Sequence, residues 1–401
     1  MRVLFSTTAG AGHFGPLVAV ARACEAAGHE IAVAAPQAFH ATVENEGFMH
    51  LPFPDVPADV MRKVFDRVAL LPRNEANRVV AAEVFARLDA QAALPELIDI
   101  IASWKPDLVV REPYEFASLV AADSAGIRQV HVAIGMNRFG SGFADVVAEP
   151  LAGLSTLAGL PIDRGATMAM TSPTFTSVPT ILDAPDLYFG DLGPSSSAVE
   201  LGPIWRFRWP TEEGTGRLPG RWGNPKDPLV YVTYGSVTGG LAHLSDLYAS
   251  TLQVLADLPV RVLMTTGRGA DRSALEPVPP NAWVEEWWPQ AEVMPSAAAM
   301  IGHGGFGTTM AALAAGVPQV VVPLFAFDQF VNAEQVAAVK AGVQVLGGLA
   351  GLSELRAAIT GVLDDPEITA GAHAVAAEVA ALPELAHCVS ILEELAGYDR
   401  P

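Results

Sequence analysis

Short apolar runs alternate along the chain with longer segments in which apolar residues recur every three or four positions. The runs at 3–5, 31–35, 108–110 and 130–134 are almost wholly apolar, the pattern of strands buried on both faces. Between them, 14–27 carries Leu17, Val20, Ala21 and Cys24 at helical spacing and stops at Gly28. Residues 116–125 read as another helix. The rhythm lapses across 52–95, which reads as helical and irregular and suits a pocket wall or lid. Between 202 and 228, Gly202-Pro203, Trp209-Pro210, Pro219-Gly220 and Asn224-Pro225 crowd together as in a linker. The strand rhythm resumes at 229–233, 261–265, 299–301, 319–322 and 344–346, with helical segments such as 352–364 between. This alternation predicts two α/β domains, each a parallel sheet covered by helices. The expected division is 1–201, a linker at 202–228, a second domain at 229–383, and a C-terminal helix at 384–401 packing back on the first domain.

Composition narrows the function classes. The chain has 401 residues, 51% hydrophobic and only 17% charged, so it can bury large cores and is not intrinsically disordered. Its 24 Lys+Arg against 44 Asp+Glu give a net charge of −20, which repels a nucleic-acid backbone. No run of about 18 apolar residues predicts a membrane span, and the N-terminus lacks the apolar core of a secretion signal. The two cysteines, Cys24 and Cys388, have no metal or redox spacing, so a reduced cytoplasmic setting is expected.

Three stretches carry candidate chemistry. The first, Gly10-Ala11-Gly12-His13-Phe14-Gly15, follows a strand and opens a helix. Its glycines match a dinucleotide fingerprint, but the next strand ends Ala34-Ala35-Pro36 without the acid that would hold a ribose. His13 at a helix N-terminus is disfavoured as imidazolium, which suits a neutral general base. The bland alternative is a packing loop with an ordinary helix-end histidine. The second stretch puts Glu112 just past the strand 108–110, at the end that faces the ligand crevice of a parallel sheet. A carboxylate there can accept the His13 Nδ1 hydrogen and stabilise the imidazolium. The bland alternative is a surface salt bridge with Arg111.

The third stretch combines Trp287-Trp288-Pro289-Gln290 with Gly302-His303-Gly304-Gly305-Phe306-Gly307-Thr308. A glycine-rich strand-to-helix loop presents backbone N–H groups to an anion. His303 and Thr308 add donors, and Gly305 and Gly307 let a ligand approach. Trp287 offers a stacking face for a base. Ser236, after the strand 229–233, adds a phosphate contact. Asp328 and Gln329 supply acceptors and donors for sugar hydroxyls. Taken singly, a core tryptophan, a structural glycine turn and a helix-capping Asp328 explain these residues as well.

Together these residues resemble family 1 glycosyltransferases of the GT-B fold, most of all actinobacterial enzymes that glycosylate antibiotics such as macrolides and enediynes. The resemblance implies two facing Rossmann-like domains with a cleft between them. It implies that His13 is the general base and Glu112 its carboxylate partner. It implies that Ser236, Trp287, Gln290, His303, Gly305, Gly307, Thr308, Asp328 and Gln329 bind a nucleotide sugar. Many relatives carry Asp where Glu112 stands, and plant relatives carry a ribose-binding Glu where Ala311 stands. Without an Asp-x-Asp motif, a metal-free inverting transfer and no cofactor are expected. The partners are a TDP- or UDP-sugar and a hydrophobic acceptor, with Phe65 and Phe139 among the acceptor contacts. No nucleic acid or membrane is expected, and a homodimer is compatible. The rivals are a nucleotide-sugar 2-epimerase, a non-catalytic binding partner and a dinucleotide oxidoreductase.

Overall fold

The computed structural model describes residues 1–136, 141–183, 201–210 and 214–398. Among them, the first sheet holds β1 (Arg2–Ser6), β2 (Glu30–Pro36), β3 (Met49–Phe53), β4 (Leu108–Arg111), β5 (Gln129–Val132), β6 (Thr174–Thr176) and β7 (Ile204–Arg206). Their order is β3-β2-β1-β4-β5-β6-β7, parallel throughout. The second sheet holds β8 (Leu229–Thr233), β9 (Arg261–Thr265), β10 (Ala282–Glu285), β11 (Ala297–Gly302), β12 (Gln319–Val321) and β13 (Gly342–Gln344). Their order is β10-β9-β8-β11-β12-β13, again parallel. In each sheet the strand order reverses once, between β1 and β4 and between β8 and β11. A parallel sheet opens its ligand crevice at that reversal.

The cores explain the apolar runs. Along β1 and β4, Leu4 and Val109 point to one face, where they pack with Leu97 and Phe116. Phe5 and Val110 point to the other, where they pack with Leu17 and Val20. Side chains alternate across a strand, so a strand covered on both faces needs apolar residues at every position. Each fully buried Leu, Val or Phe contributes roughly 1.5–3 kcal/mol.

The chain returns to the first domain at its end. Arg208 N donates to Pro383 O at 2.7 Å, and Leu385 N to Arg208 O at 3.2 Å. The helix Cys388–Ala396 then buries Cys388, Val389 and Leu392 in the same cluster as Leu17 and Cys24. Strand β7 lies inside the proline- and glycine-rich 202–228 segment and forms the far edge of the first sheet.

Several elements differ from the sequence expectation: β3, β6, β7 and β10 fall outside its strand runs, and some boundaries shift. The first helix is Ala11–Ala26 and begins three residues early, because Gly10 at φ 149° turns the chain into it and accepts from His13 N and Phe14 N. His13 therefore sits within the first helical turn. Strand β5 ends at Val132, two residues early. Strand β13 precedes the expected 344–346 by two residues. Val345 N still donates to Val321 O at 2.8 Å, but Leu346 is 52% exposed. Apolar character there outlasts the strand. Across 52–95 the chain forms the helices Ala58–Val68 and Arg73–Val79, a π-helical stretch Val80–Asp89, and the start of the helix Ala90–Trp104. Among the described residues no helix is long and apolar enough to cross a membrane.

Candidate active site

The two sheet reversals place the candidate residues. His13 follows β1 and Glu112 follows β4, the neighbouring strands at the first reversal. The Glu112 backbone is held by its own N–H, which donates to Ser6 O at 3.2 Å. His13 Nδ1 lies 3.1 Å from Glu112 Oε1, with the carboxylate side chain fully enclosed and the imidazole 23% exposed. The longer arm of Glu therefore still reaches the imidazole. Thr8 completes the group: its hydroxyl donates to Glu112 Oε1 at 2.8 Å and stands 3.0 Å from His13 Nδ1. Thr8 N and Tyr114 N also donate to the carboxylate, at 3.3 and 2.7 Å. Because the Thr8 hydroxyl gives its hydrogen to Glu112, it can only accept from Nδ1. The network thus assigns the proton to Nδ1 and the lone pair to Nε2.

Electrostatics agree with that geometry. Burial works to lower the His13 pKa, but the Glu112 charge and hydrogen bond, with Asp328 and Asp89, override it and raise it above the ordinary value. Burial pushes the Glu112 carboxyl up, but His13, Tyr114 N and Thr8 hold it below the usual carboxylate range.

The salt-bridge alternative for Glu112 does not hold. The Arg111 guanidinium is fully buried and donates to Glu112 O, Pro113 O and Gln129 Oε1 at 3.1, 3.2 and 2.9 Å. Arg111 braces the backbone of the turn and leaves the Glu112 carboxylate to His13. The sequence reading missed this brace, and it missed Thr8, Phe85 and Tyr114. The Phe85 and Tyr114 rings stand against His13 with centroids 5.5 and 5.9 Å from its own. Thr8 sits in the small-residue loop after β1, the one signal that pointed to it.

Beside His13 opens a cavity of about 590 Å³, lined by Thr8, Phe53, Met61, Phe65, Phe85, Asp89, Tyr114 and Phe116 among others. Phe65 lies on its wall, 47% exposed. Phe139 lies outside the described residues.

The second reversal carries the other group. Ser236 follows β8 and is exposed; His303 follows β11, the neighbouring strand. The His303 ring is wedged between Gly235 and Gly305. A Cβ on either would come within 2.7 or 2.6 Å of the ring. Its Nδ1 is buried with no hydrogen-bond partner, and burial lowers its pKa to about 4. Gly305 caps the helix Phe306–Ala314, which brings Gly307 and Thr308 into its first turn. Gln290 Nε2 donates to Thr308 Oγ1 at 2.9 Å, so these two candidates meet directly. Trp287 is 71% exposed, which removes the core-tryptophan alternative. Trp288 is the structural one of the pair, donating to Arg217 O at 3.1 Å.

Asp328 and Gln329 lie in the first turn of the helix Phe327–Ala338. Burial raises the Asp328 pKa and His13 opposes it, so the two groups interact across the cleft. Gln329 is buried, and its Oε1 accepts from Leu324 N and Phe325 N at 2.9 and 3.1 Å. Asn332, missed in the sequence, ties the same helix to the glycine loop by donating to Gly304 O at 2.7 Å. Phe330 stacks under the Arg73 guanidinium at 3.7 Å, joining this helix to the first domain. Among the described residues no three His, Cys, Asp or Glu side chains gather as a metal ion requires.

Two doubly wound sheets, one ending on a histidine–carboxylate pair and the other on a glycine-rich loop that opens a helix beside His303, make up the plan of a GT-B glycosyltransferase. The glycosyltransferase SnogD from Streptomyces nogalater has the same fold, with a TM-score of 0.74 and 25% identity over 99% of each chain. Models of the N- and C-terminal domains of erythromycin biosynthesis protein CIII-like proteins match residues 22–152 and 249–395. L-demethylnoviosyl transferase of Streptomyces niveus is 32% identical over 86% of this chain and 85% of its own. The TDP-daunosamine transferase DnrS of Streptomyces peucetius is 27% identical over 100% of this chain and 98% of its own. The chain belongs to the erythromycin biosynthesis protein CIII-like family and is a glycosyltransferase.

Proposed function

We propose that the protein transfers a sugar from a TDP- or UDP-sugar to a hydroxyl of a hydrophobic natural-product acceptor, in one inverting displacement and without a metal ion. The observation that carries this reading is the His13 Nδ1–Glu112 Oε1 contact of 3.1 Å beside a large, mostly apolar cavity. His13 Nε2 removes the proton of the acceptor hydroxyl. The oxygen then attacks the anomeric carbon, the bond from that carbon to the diphosphate breaks, and its electron pair leaves on the diphosphate oxygen. Glu112 orients the imidazole and stabilises the imidazolium.

In the second crevice, backbone N–H groups at the start of the helix Phe306–Ala314 meet the growing charge on the diphosphate. His303, Thr308 and Ser236 add donors, and Gly305 and Gly307 allow close approach. Trp287 stacks on the base and Gln290 positions Thr308. Asp328 accepts from sugar hydroxyls. The Gln329 oxygen is already engaged in its loop, so a sugar contact falls to its Nε2. The TDP-daunosamine name of one relative supports a TDP-sugar.

The deciding experiment follows the anomeric configuration by NMR. An α-linked nucleotide sugar is expected to give a β-linked product only when acceptor is present. Retention of configuration would overturn the single displacement. Epimerised sugar formed from donor alone would favour the 2-epimerase.

A further inference from the structure

Asp89 lines the cavity, and the proposed transfer gives it no contact with either substrate. It closes the π-helical stretch Val80–Asp89, one turn beyond Phe85, whose ring touches His13. A π-helical turn spaces side chains more widely than an α-turn and recurs at functional sites. The Asp89 carboxyl makes no hydrogen bond and no ion pair among the described residues. The other acids on the same wall are engaged. Asp55 Oδ2 accepts from Ala38 N at 3.0 Å, and Glu115 accepts from Ala117 N and Ser118 N at 3.0 and 3.1 Å. A half-buried carboxyl left without a partner in a mostly apolar cavity is costly until a ligand supplies one.

The charges around Asp89 say what kind of partner. Burial first, then the charges of Glu112 and Glu115, push its carboxyl up to about 7. Asp55 acts in the same direction and His13 against it. Near neutral pH the group is thus partly a neutral acid, able both to donate and to accept. That pairs with a hydroxyl better than with an ammonium ion, and Arg62 on the same wall also opposes a cation.

We propose that Asp89 selects the acceptor: its carboxyl hydrogen-bonds a second hydroxyl of an apolar acceptor and so holds the first hydroxyl at His13. This rests on reading the cavity as the acceptor site. The preferred acceptors are therefore apolar ring systems with at least two hydroxyls.

The probes are a set of dihydroxyanthraquinones of different hydroxyl spacing and the matching monohydroxyanthraquinone. Each is titrated by fluorescence against the parent, Asp89→Leu and Asp89→Asn, with TDP affinity measured alongside. The parent is expected to bind at least one dihydroxy probe about tenfold or more tighter than the monohydroxy compound. Asp89→Leu is expected to abolish that preference without weakening the monohydroxy probe. Asp89→Asn, which keeps a donor and an acceptor, is expected to retain most of it. TDP affinity stays the same in all three. Equal binding of both probe types by the parent, a preference that survives Asp89→Leu, or no binding of any probe overturns the proposal. If the parent discriminates as expected but transfers no sugar to any acceptor, the transfer reading fails and the Asp89 assignment stands. If transfer proceeds and the preference survives Asp89→Leu, only the Asp89 assignment fails.

Discussion

His13 and His303 occupy comparable places in the two domains, each just after a strand at the reversal of a parallel sheet, His13 in the first turn of a helix and His303 on a loop. Burial alone would lower both pKa values. One nevertheless rises above its ordinary value while the other falls to about 4. The difference lies in their companions. His13 has the enclosed carboxylate of Glu112 at 3.1 Å, backed by Asp89 and by Asp328 across the cleft. His303 has two glycines and an unpartnered Nδ1. One architecture thus raises one histidine's pKa by supplying a carboxylate and lowers the other's by withholding one. Under the proposed function the first is the proton acceptor and the second belongs to the anion site.

The sharpest break in this comparison comes from the charged side. His13→Ala is expected to slow sugar transfer by about 10²–10⁴-fold with TDP affinity unchanged, read from initial rates and calorimetry. A variant as fast as the parent would end the base assignment. Glu112→Gln is expected to cost on the order of 10²-fold or more, as a histidine's carboxylate partner does in hydrolase triads. It also has a pH signature. A general base works in its deprotonated form, and Glu112 is the main group raising the His13 pKa. Removing that charge leaves burial to lower it. The acid limb of kcat/KM against pH should therefore move to lower pH in Glu112→Gln. A limb that stays in place would mean that another group titrates.

The neutral side predicts a smaller effect of another kind. His303→Ala is expected to weaken TDP binding about tenfold, the loss of a hydrogen bond to a charged group, while leaving acceptor binding alone. Gly305→Ala acts in the same direction, because the added Cβ would come within 2.6 Å of the His303 ring and displace it. If His303→Ala slows transfer without weakening TDP, the two histidines are not divided between proton and anion as the comparison holds.

How much of this was legible in the sequence follows from how local each signal is. The inner strands such as β1, β2 and β4 were, because a strand buried on both faces has to be apolar throughout, whereas the edge strands β3, β7 and β10 and the three-residue β6 were not, because they lack such a run. His13, Glu112 and the loop from Gly302 to Thr308 were, because strand-end loops concentrate unusual residues. The members that complete the first site were not. Thr8 is one polar residue in a small-residue loop. Phe85 touches His13, and the Asp89 charge acts on it, from a π-helical stretch that no 3.6-residue period marks. Arg111 read as a surface partner for Glu112. Only the fold reveals that it is buried and braces the turn after β4 through two backbone carbonyls, with a third bond to the Gln129 side chain.

The mildest test asks whether the neutral crevice is a network or a set of separate contacts. Gln290 Nε2 donates to Thr308 Oγ1 at 2.9 Å, which occupies a lone pair of that hydroxyl and turns its own hydrogen elsewhere. In the proposed complex that hydrogen goes to the diphosphate. Gln290→Ala frees the hydroxyl to rotate, and about a two- to tenfold loss of TDP affinity is expected, the net worth of one neutral hydrogen bond. Thr308→Val removes both the donor to the phosphate and the acceptor for Gln290, so it should cost somewhat more. If Gln290 acts on TDP through Thr308, then adding Gln290→Ala to Thr308→Val should cost little further. Losses that simply add would mean that each residue touches TDP on its own. The second crevice would then be a set of independent donors, unlike the linked Thr8, His13 and Glu112 of the first.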